Sequence, residues 1–198
     1  MWWNELNTQT ADLASLVPKI HPTADVAPTA ILVGAVEVGA GARICHGAYI
    51  LGPVRIGAHC VIGNNALVRG STTIGDRTRI GFASELKNCI IKHDVMIGPQ
   101  CFVADSCVDA YAYLGAQVRT SNHRLDGADV RVMVDGALQD TGCNKLGALI
   151  GSHASLGVQV ITLPGRIVAP YTQLGPRITV ERNLPAGRYV LRQCVAAY

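Results

Sequence analysis

The chain has no run of about 18 apolar residues, and its N-terminus lacks a basic segment followed by an apolar one. Neither a membrane helix nor a secretory leader is therefore expected, and the expected address is cytoplasmic. Clustered positive charge is missing too. The 17 Lys and Arg are scattered among 14 Asp and Glu for a net charge of +3, which offers no track for a nucleic-acid backbone or an anionic membrane. A balance this modest suits a small anionic ligand without selecting one. Cysteine pairs at C-x-x-C spacing are also absent. Seven cysteines (Cys45, Cys60, Cys89, Cys101, Cys107, Cys143, Cys194) make an odd count and read as free thiols in a reducing compartment, ahead of disulfides or zinc ligands. No metal is expected. No Gly-rich nucleotide loop occurs either, and the length suits one domain.

What is present is a count of six. From Ile20, steps of six reach Val26, Leu32, Val38, Ile44, Ile50, Ile56, Ile62, Val68, Ile74, Ile80 and Leu86. Two residues before most of these stands a small or β-compatible residue, as at Ala24, Ala42, Ala66, Thr72, Thr78 and Ser84, and Gly57, Gly63, Gly75 and Gly81 follow directly. A period of six is neither the 3.6 of a helix nor a plain alternation, and so many glycines would weaken a helix interior. It fits a solenoid of short parallel strands, six residues to a face and eighteen to a coil, with the aliphatic side chain inward and glycine at the corner.

The phase slips to Ile91, Ile97 and Val103, and again to Val108 and Leu114. It is lost between about 119 and 145 and resumes at Ile150, Leu156, Thr162, Val168, Leu174 and Val180. The expected organisation is a helical cap over residues 1–19, coils over 20–118, an excursion over 119–145, further coils over 146–184 and a tail over 185–198. Within the excursion, VRVMVDGALQDTG alternates around Asp135-Gly136, the signature of a type I′ hairpin; such an arm needs a neighbour to pack on. NELNTQTADLASLVP predicts an amphipathic helix ending before Pro18, with Trp2 and Trp3 to bury, as a cap for the open solenoid end. The tail LPAGRYVLRQCVAAY leaves the repeat and is expected to lie across another subunit.

The hexads resemble the left-handed parallel β-helix of the hexapeptide-repeat acyltransferases, which are typically trimers with sites in the clefts between subunits. The left hand comes from that resemblance. From Arg69 onward, the run ALVRGSTTIGDRTRIGFASELKN, then FVADS, YLGAQVRTSNHRLD and NKLGALIGSHASLGVQVITLPGRIVAPYTQLGPRITVERNLP, is similar to the acetyltransferase domain of bifunctional N-acetylglucosamine-1-phosphate uridylyltransferases and to archaeal sugar-1-phosphate nucleotidylyltransferases. The resemblance covers roughly residues 60–186 and implies an acetyl-CoA-dependent transferase, a homotrimer, acting on an amino sugar, sugar phosphate or similar small acceptor. It places Arg69 and Lys87 on the sugar phosphate, and their separation of one coil stacks them on one edge where two cations can converge on an anion. Glu85 matches a carboxylate near the sugar and is expected either to hydrogen-bond sugar hydroxyls or to pair with Lys87. Asn122, with Gly157 and Gly175, is the expected contact set for acetyl-CoA.

The departures fall in the chemistry. The family segment H-L-x-Y-V-G-D, which supplies the catalytic His and a sugar-contacting Tyr, aligns with the residues from Pro99 to Asp105; the His is replaced by Pro99 and the Tyr by Phe102. An Asn that contacts the sugar aligns with Tyr113, so Phe102 and Tyr113 are the expected substrate contacts. Thioester acyl transfer needs a base to take the acceptor's proton, and imidazole titrates in the right range. Of six histidines, His123 stands in the excursion within H-R-L-D, which resembles the H-P-L-D segment carrying the catalytic His of maltose- and galactoside-type acetyltransferases. Asp126 would orient its ring. His93 is the second choice. The histidines lack the paired spacing of a carbonic anhydrase zinc site. Two functions remain: an acetyltransferase using His123, or a β-helix that has lost catalysis and binds a sugar phosphate or nucleotide sugar in a structural or regulatory role.

Overall fold

In the computed structural model, which describes residues 1–192, the hexads wind into the expected left-handed parallel β-helix. Its first face holds eight strands from Lys19–Ile20 to Arg166–Val168, its second nine from Asp25–Val26 to Arg188–Tyr189, and its third eight from Ile31–Val33 to Thr179–Val180. The hexad aliphatics from Val38 to Leu86 all point inward and are at most 2% exposed. Each such side chain contributes about 1.5–3 kcal/mol by leaving water. The helix Trp2–Leu13 completes the architecture.

The glycines of the repeat have a steric cause. A Cβ on Gly81 would lie 2.5 Å from the carbonyl carbon of Gly98, and one on Gly157 would lie 2.9 Å from that of Gly175. Successive coils touch backbone to backbone along this column, where no side chain fits. The phase slips have a cause as well. Arg55 pairs with Thr73 one eighteen-residue coil later, whereas Thr73 pairs with Ile90 and Ile90 with Cys107, a coil of seventeen. The missing residue comes from the corner between the third and first faces, where Asn88 (φ 51°) and Asp105 (φ 47°) make the turn. Thr72 Oγ1 bridges that corner, donating to Arg69 O at 2.9 Å and accepting from Cys89 N at 3.2 Å, and inward hydroxyls bridge the other two corners as well. Ser84 Oγ donates to Gly98 O at 2.8 Å and accepts from Cys101 N at 3.0 Å, and Thr78 does the same between Lys92 O and Val95 N.

The excursion leaves this same corner after Arg119–Thr120 and rejoins the first face at Ala148–Ile150, about two residues later at each end than the hexads place it. Its arm pairs Arg131–Val134 with Ala137–Asp140 around Asp135 (φ 48°) and Gly136 (φ 79°). Val130 and Val132 at the arm's base are buried against Trp2, Trp3, Leu6, Ile90 and Cys107. The neighbour that this arm needs is thus the N-terminal helix of its own chain.

That helix covers a side of the coil and leaves the end open. Outward positions on the first face turn apolar from Ile90 onward (Ile90, Cys107, Leu149, Ile167), and the tryptophans pack there. Gln9 fastens the helix by donating to Ser71 O (2.6 Å) and Cys89 O (3.0 Å). Twelve residues form only a marginal helix alone, so this packing holds it. At the open end Ile20 and Ile31 stay more than half exposed. The described part of the tail adds to its own chain's second face, Arg188–Tyr189 pairing parallel with Gln173–Leu174. Residues 193–198, including Cys194, lie outside the described residues. The six other cysteines are free. Burial pushes the Cys60 thiol up to about 11 and Cys89 to about 12, which keeps both unreactive. Among the described residues no helix is long and apolar enough to cross a membrane.

Candidate functional site

The third face carries Arg69, Glu85, Lys87 and Phe102 of the expected site. Arg69 pairs directly with Lys87, as their spacing requires, and Glu85 lies between Leu67 and Phe102 in the outward ladder one position away. Neither cation is free. Arg69 Nη2 meets Glu85 Oε1 at 2.7 Å, and Lys87 Nζ meets Asp105 Oδ2 at 3.0 Å. The Asp105 side chain is only 5% exposed and also accepts from Asn88 Nδ2 (2.8 Å) and Asn122 Nδ2 (2.5 Å). This carboxylate, set by a short corner, ties two coils to the start of the excursion. The expected convergence of Arg69 and Lys87 on a phosphate is replaced by two ion pairs, because each cation finds a carboxylate on the following coil.

His123 follows at the neck of the excursion. Leu146 N donates to Asn122 O at 2.9 Å and His123 bridges Lys145, which closes the neck. His123 Nδ1 lies 3.3 Å from Asn144 O. A carbonyl only accepts, so Nδ1 carries the proton and Nε2 keeps a lone pair in the neutral ring. The backbone thus orients the imidazole, a role expected of Asp126. Asp126 instead forms a two-bonded pair with Arg124, through Nε at 2.9 Å and through Nη2, and also accepts from Ala128 N. The Arg124 guanidinium holds the Asp126 carboxyl down at about 2. The physical reason is proximity: Arg124 is two residues from Asp126 and presents a planar fork that matches a carboxylate.

His123, Arg124, Asp126, Arg131, Leu163 and Arg166 line a cavity of about 510 Å³, a volume suited to a small molecule. Arg166 comes from the far side of the excursion, on the first-face strand Arg166–Val168. Its Nε is buried and has no hydrogen-bond partner among the described residues. Burial lowers its pKa below the usual guanidinium value, and Arg124 adds to the shift. Arg124 was in view within H-R-L-D, and Asp105 ends the aligned FVAD segment. Arg131 and Arg166 carry no local signal; the return path of the excursion brings them to His123.

Other expected residues lie apart. Tyr113, Gly157 and Gly175 share a mostly apolar groove of about 350 Å³ on the second face with Arg188 and Tyr189. Pro99 is exposed at the corner between second and third faces. His93 sits at the corner between first and second faces, with Nδ1 2.7 Å from Asp94 Oδ2 and its ring edge-on to Tyr111. Arg77 and His93 hold the Asp94 carboxyl at about 2. Among the described residues no three His, Cys, Asp or Glu gather as a metal site.

Known proteins resemble this chain at three levels. Residues 50–143 match the family described as the GMPPB C-terminal domain. A bifunctional sugar-1-phosphate nucleotidylyltransferase/acetyltransferase from Sulfurisphaera tokodaii is 32% identical over 114 residues, which are 58% of this chain and 28% of that protein. The UDP-N-acetylglucosamine acyltransferase structure from Campylobacter jejuni aligns at 15% identity with a TM-score of 0.49, covering 85% of this chain and 69% of the other. The putative uncharacterized acetyltransferase YaiX of Escherichia coli K12 is 61% identical over 160 residues, covering 81% of this chain and 70% of that protein. With that identity and coverage, on a coil of parallel hexads, the chain belongs to the hexapeptide-repeat acyltransferase superfamily, in one family with the YaiX acetyltransferases.

Proposed function

We propose that the chain transfers an acetyl group from acetyl-CoA to an amino sugar, sugar phosphate or similarly small acceptor, as a cytoplasmic homotrimer, with His123 as the general base. The observation that carries this reading is the His123 ring held through Nδ1 on Asn144 O at the wall of a cavity of about 510 Å³. Nε2 accepts the proton of the acceptor hydroxyl or amine as that oxygen or nitrogen attacks the thioester carbonyl carbon. The tetrahedral intermediate then collapses, the carbon–sulfur bond breaks, and the imidazolium returns its proton to the leaving thiolate. Asn122, anchored on Asp105, is the acetyl-CoA contact next to the base. Tyr113, Gly157 and Gly175 join the same cleft when a neighbouring copy in the trimer presents its second face.

An assay of free-thiol release from acetyl-CoA across a panel of amino sugars and sugar phosphates tests this. Sustained release with at least one acceptor, well above the rate without protein, is expected. The second reading, a binding protein without catalysis, is favoured by Pro99 and Phe102, which stand where the resembled family has its catalytic His and a sugar-contacting Tyr. No thiol release with any acceptor, together with clear binding of a sugar phosphate, would select it.

A further inference from the structure

The cavity beside His123 holds two guanidiniums that have no ion-pair partner among the described residues. Of its three guanidiniums, Arg124 is matched by Asp126, the one carboxylate in the lining. Arg131, on the outer side of the arm, and Arg166, on the first face, have no acidic partner within ion-pair distance among the described residues. Arg166 is half-buried, and its Nε is shut from solvent without an acceptor. Removing a guanidinium N–H from water without giving it a partner is costly. Its two Nη atoms are not shut away in this manner and have no partner among the described residues, so they are the edge a ligand in the cavity would meet.

We infer that Arg166 and Arg131 form the anion clamp of this cavity and that the ligand seated beside His123 carries a phosphate. The planar fork of Arg166 can meet two phosphate oxygens at once, and Arg131 closes on the same group from the arm. The site replaces the phosphate site expected at Arg69 and Lys87, whose charges are spent within the coil. It rests on the proposal above only for the ligand's role, since the phosphate belongs either to the acceptor or to the acyl donor. In both cases the clamp fixes one end of the substrate while the reacting end faces His123 Nε2.

Calorimetric titration of the intact protein with two matched pairs, glucosamine 1-phosphate against glucosamine and coenzyme A against pantetheine, separates these sources. In at least one pair the phosphate-bearing member should bind about tenfold or more tightly, and Arg166→Met should erase that preference. A preference in the first pair assigns the phosphate to the acceptor, and in the second to the donor. Arg131→Ser, at an exposed position of the arm, should weaken the same ligand and serves if Arg166→Met fails to fold. Equal affinities within both pairs, or a phosphate preference that survives both substitutions, would overturn the clamp. Thiol release that persists under that outcome would leave His123 as base untouched, whereas phosphate binding without turnover would retain the clamp and refute the transferase.

Discussion

Replacing His123 with Ala should lower acetyl transfer by about 10²–10⁴-fold while coenzyme A binding is retained, because the substitution removes the proton acceptor and leaves the cationic lining of Arg131 and Arg166 in place. The effect should fall on kcat, since base catalysis acts in the transition state and adds little to ground-state binding. Asp126→Ala provides the contrast. If Asp126 oriented the imidazole, its loss would mimic that of His123; paired as it is with Arg124, it should cost far less. Thiol release by His123→Ala at the wild-type rate would move the base elsewhere. His93 would then be next, since Asp94 already orients its ring.

Asp105→Ala should destabilise the fold by about 3 kcal/mol, the scale for removing one partner of a buried ion pair. Lys87 would lose its counter-charge in a setting where its side chain is 22% exposed, and Asn88 and Asn122 would each lose an acceptor. For a domain of this size the thermal midpoint should fall by roughly 6–12 °C. Because Asn122 opens the excursion, the neck at His123 and Lys145 should loosen before the coil melts, and hydrogen exchange should show Leu146 N losing protection. A midpoint unchanged within error would mean that Lys87 and Asn122 find other partners, and the corner would not be the anchor described.

The coil is legible in the sequence because one residue in six must point inward and nothing but a small or aliphatic side chain fits there. The phase slips at Ile91 and Val108 are visible for the same reason, as coils one residue short. The hairpin is legible from Asp135-Gly136, since both residues must adopt positive φ. Charge pairing is not legible. Spacing places Arg69 beside Lys87, yet it says nothing of Glu85 and Asp105 reaching them from the next coil. His123 and Asp126 stand at a spacing that permits a dyad, and Arg124 between them takes the carboxylate. Gly157 looks like a ligand-contact glycine, while the coil itself requires it, since a Cβ there would lie 2.9 Å from the carbonyl carbon of Gly175. Arg166 is invisible locally because a return path of more than twenty residues decides what faces His123.

Acyl transfer at the cavity beside His123 is the central claim, and a crystal structure of the protein with coenzyme A and an accepted substrate tests it most directly. The reactive oxygen or nitrogen of the acceptor should lie about 2.6–3.2 Å from His123 Nε2, with a phosphate of one ligand on Arg166. An acceptor bound only along Arg69 and Lys87 on the third face, or in the second-face groove of Tyr113, Gly157 and Gly175, with His123 facing solvent, would contradict it.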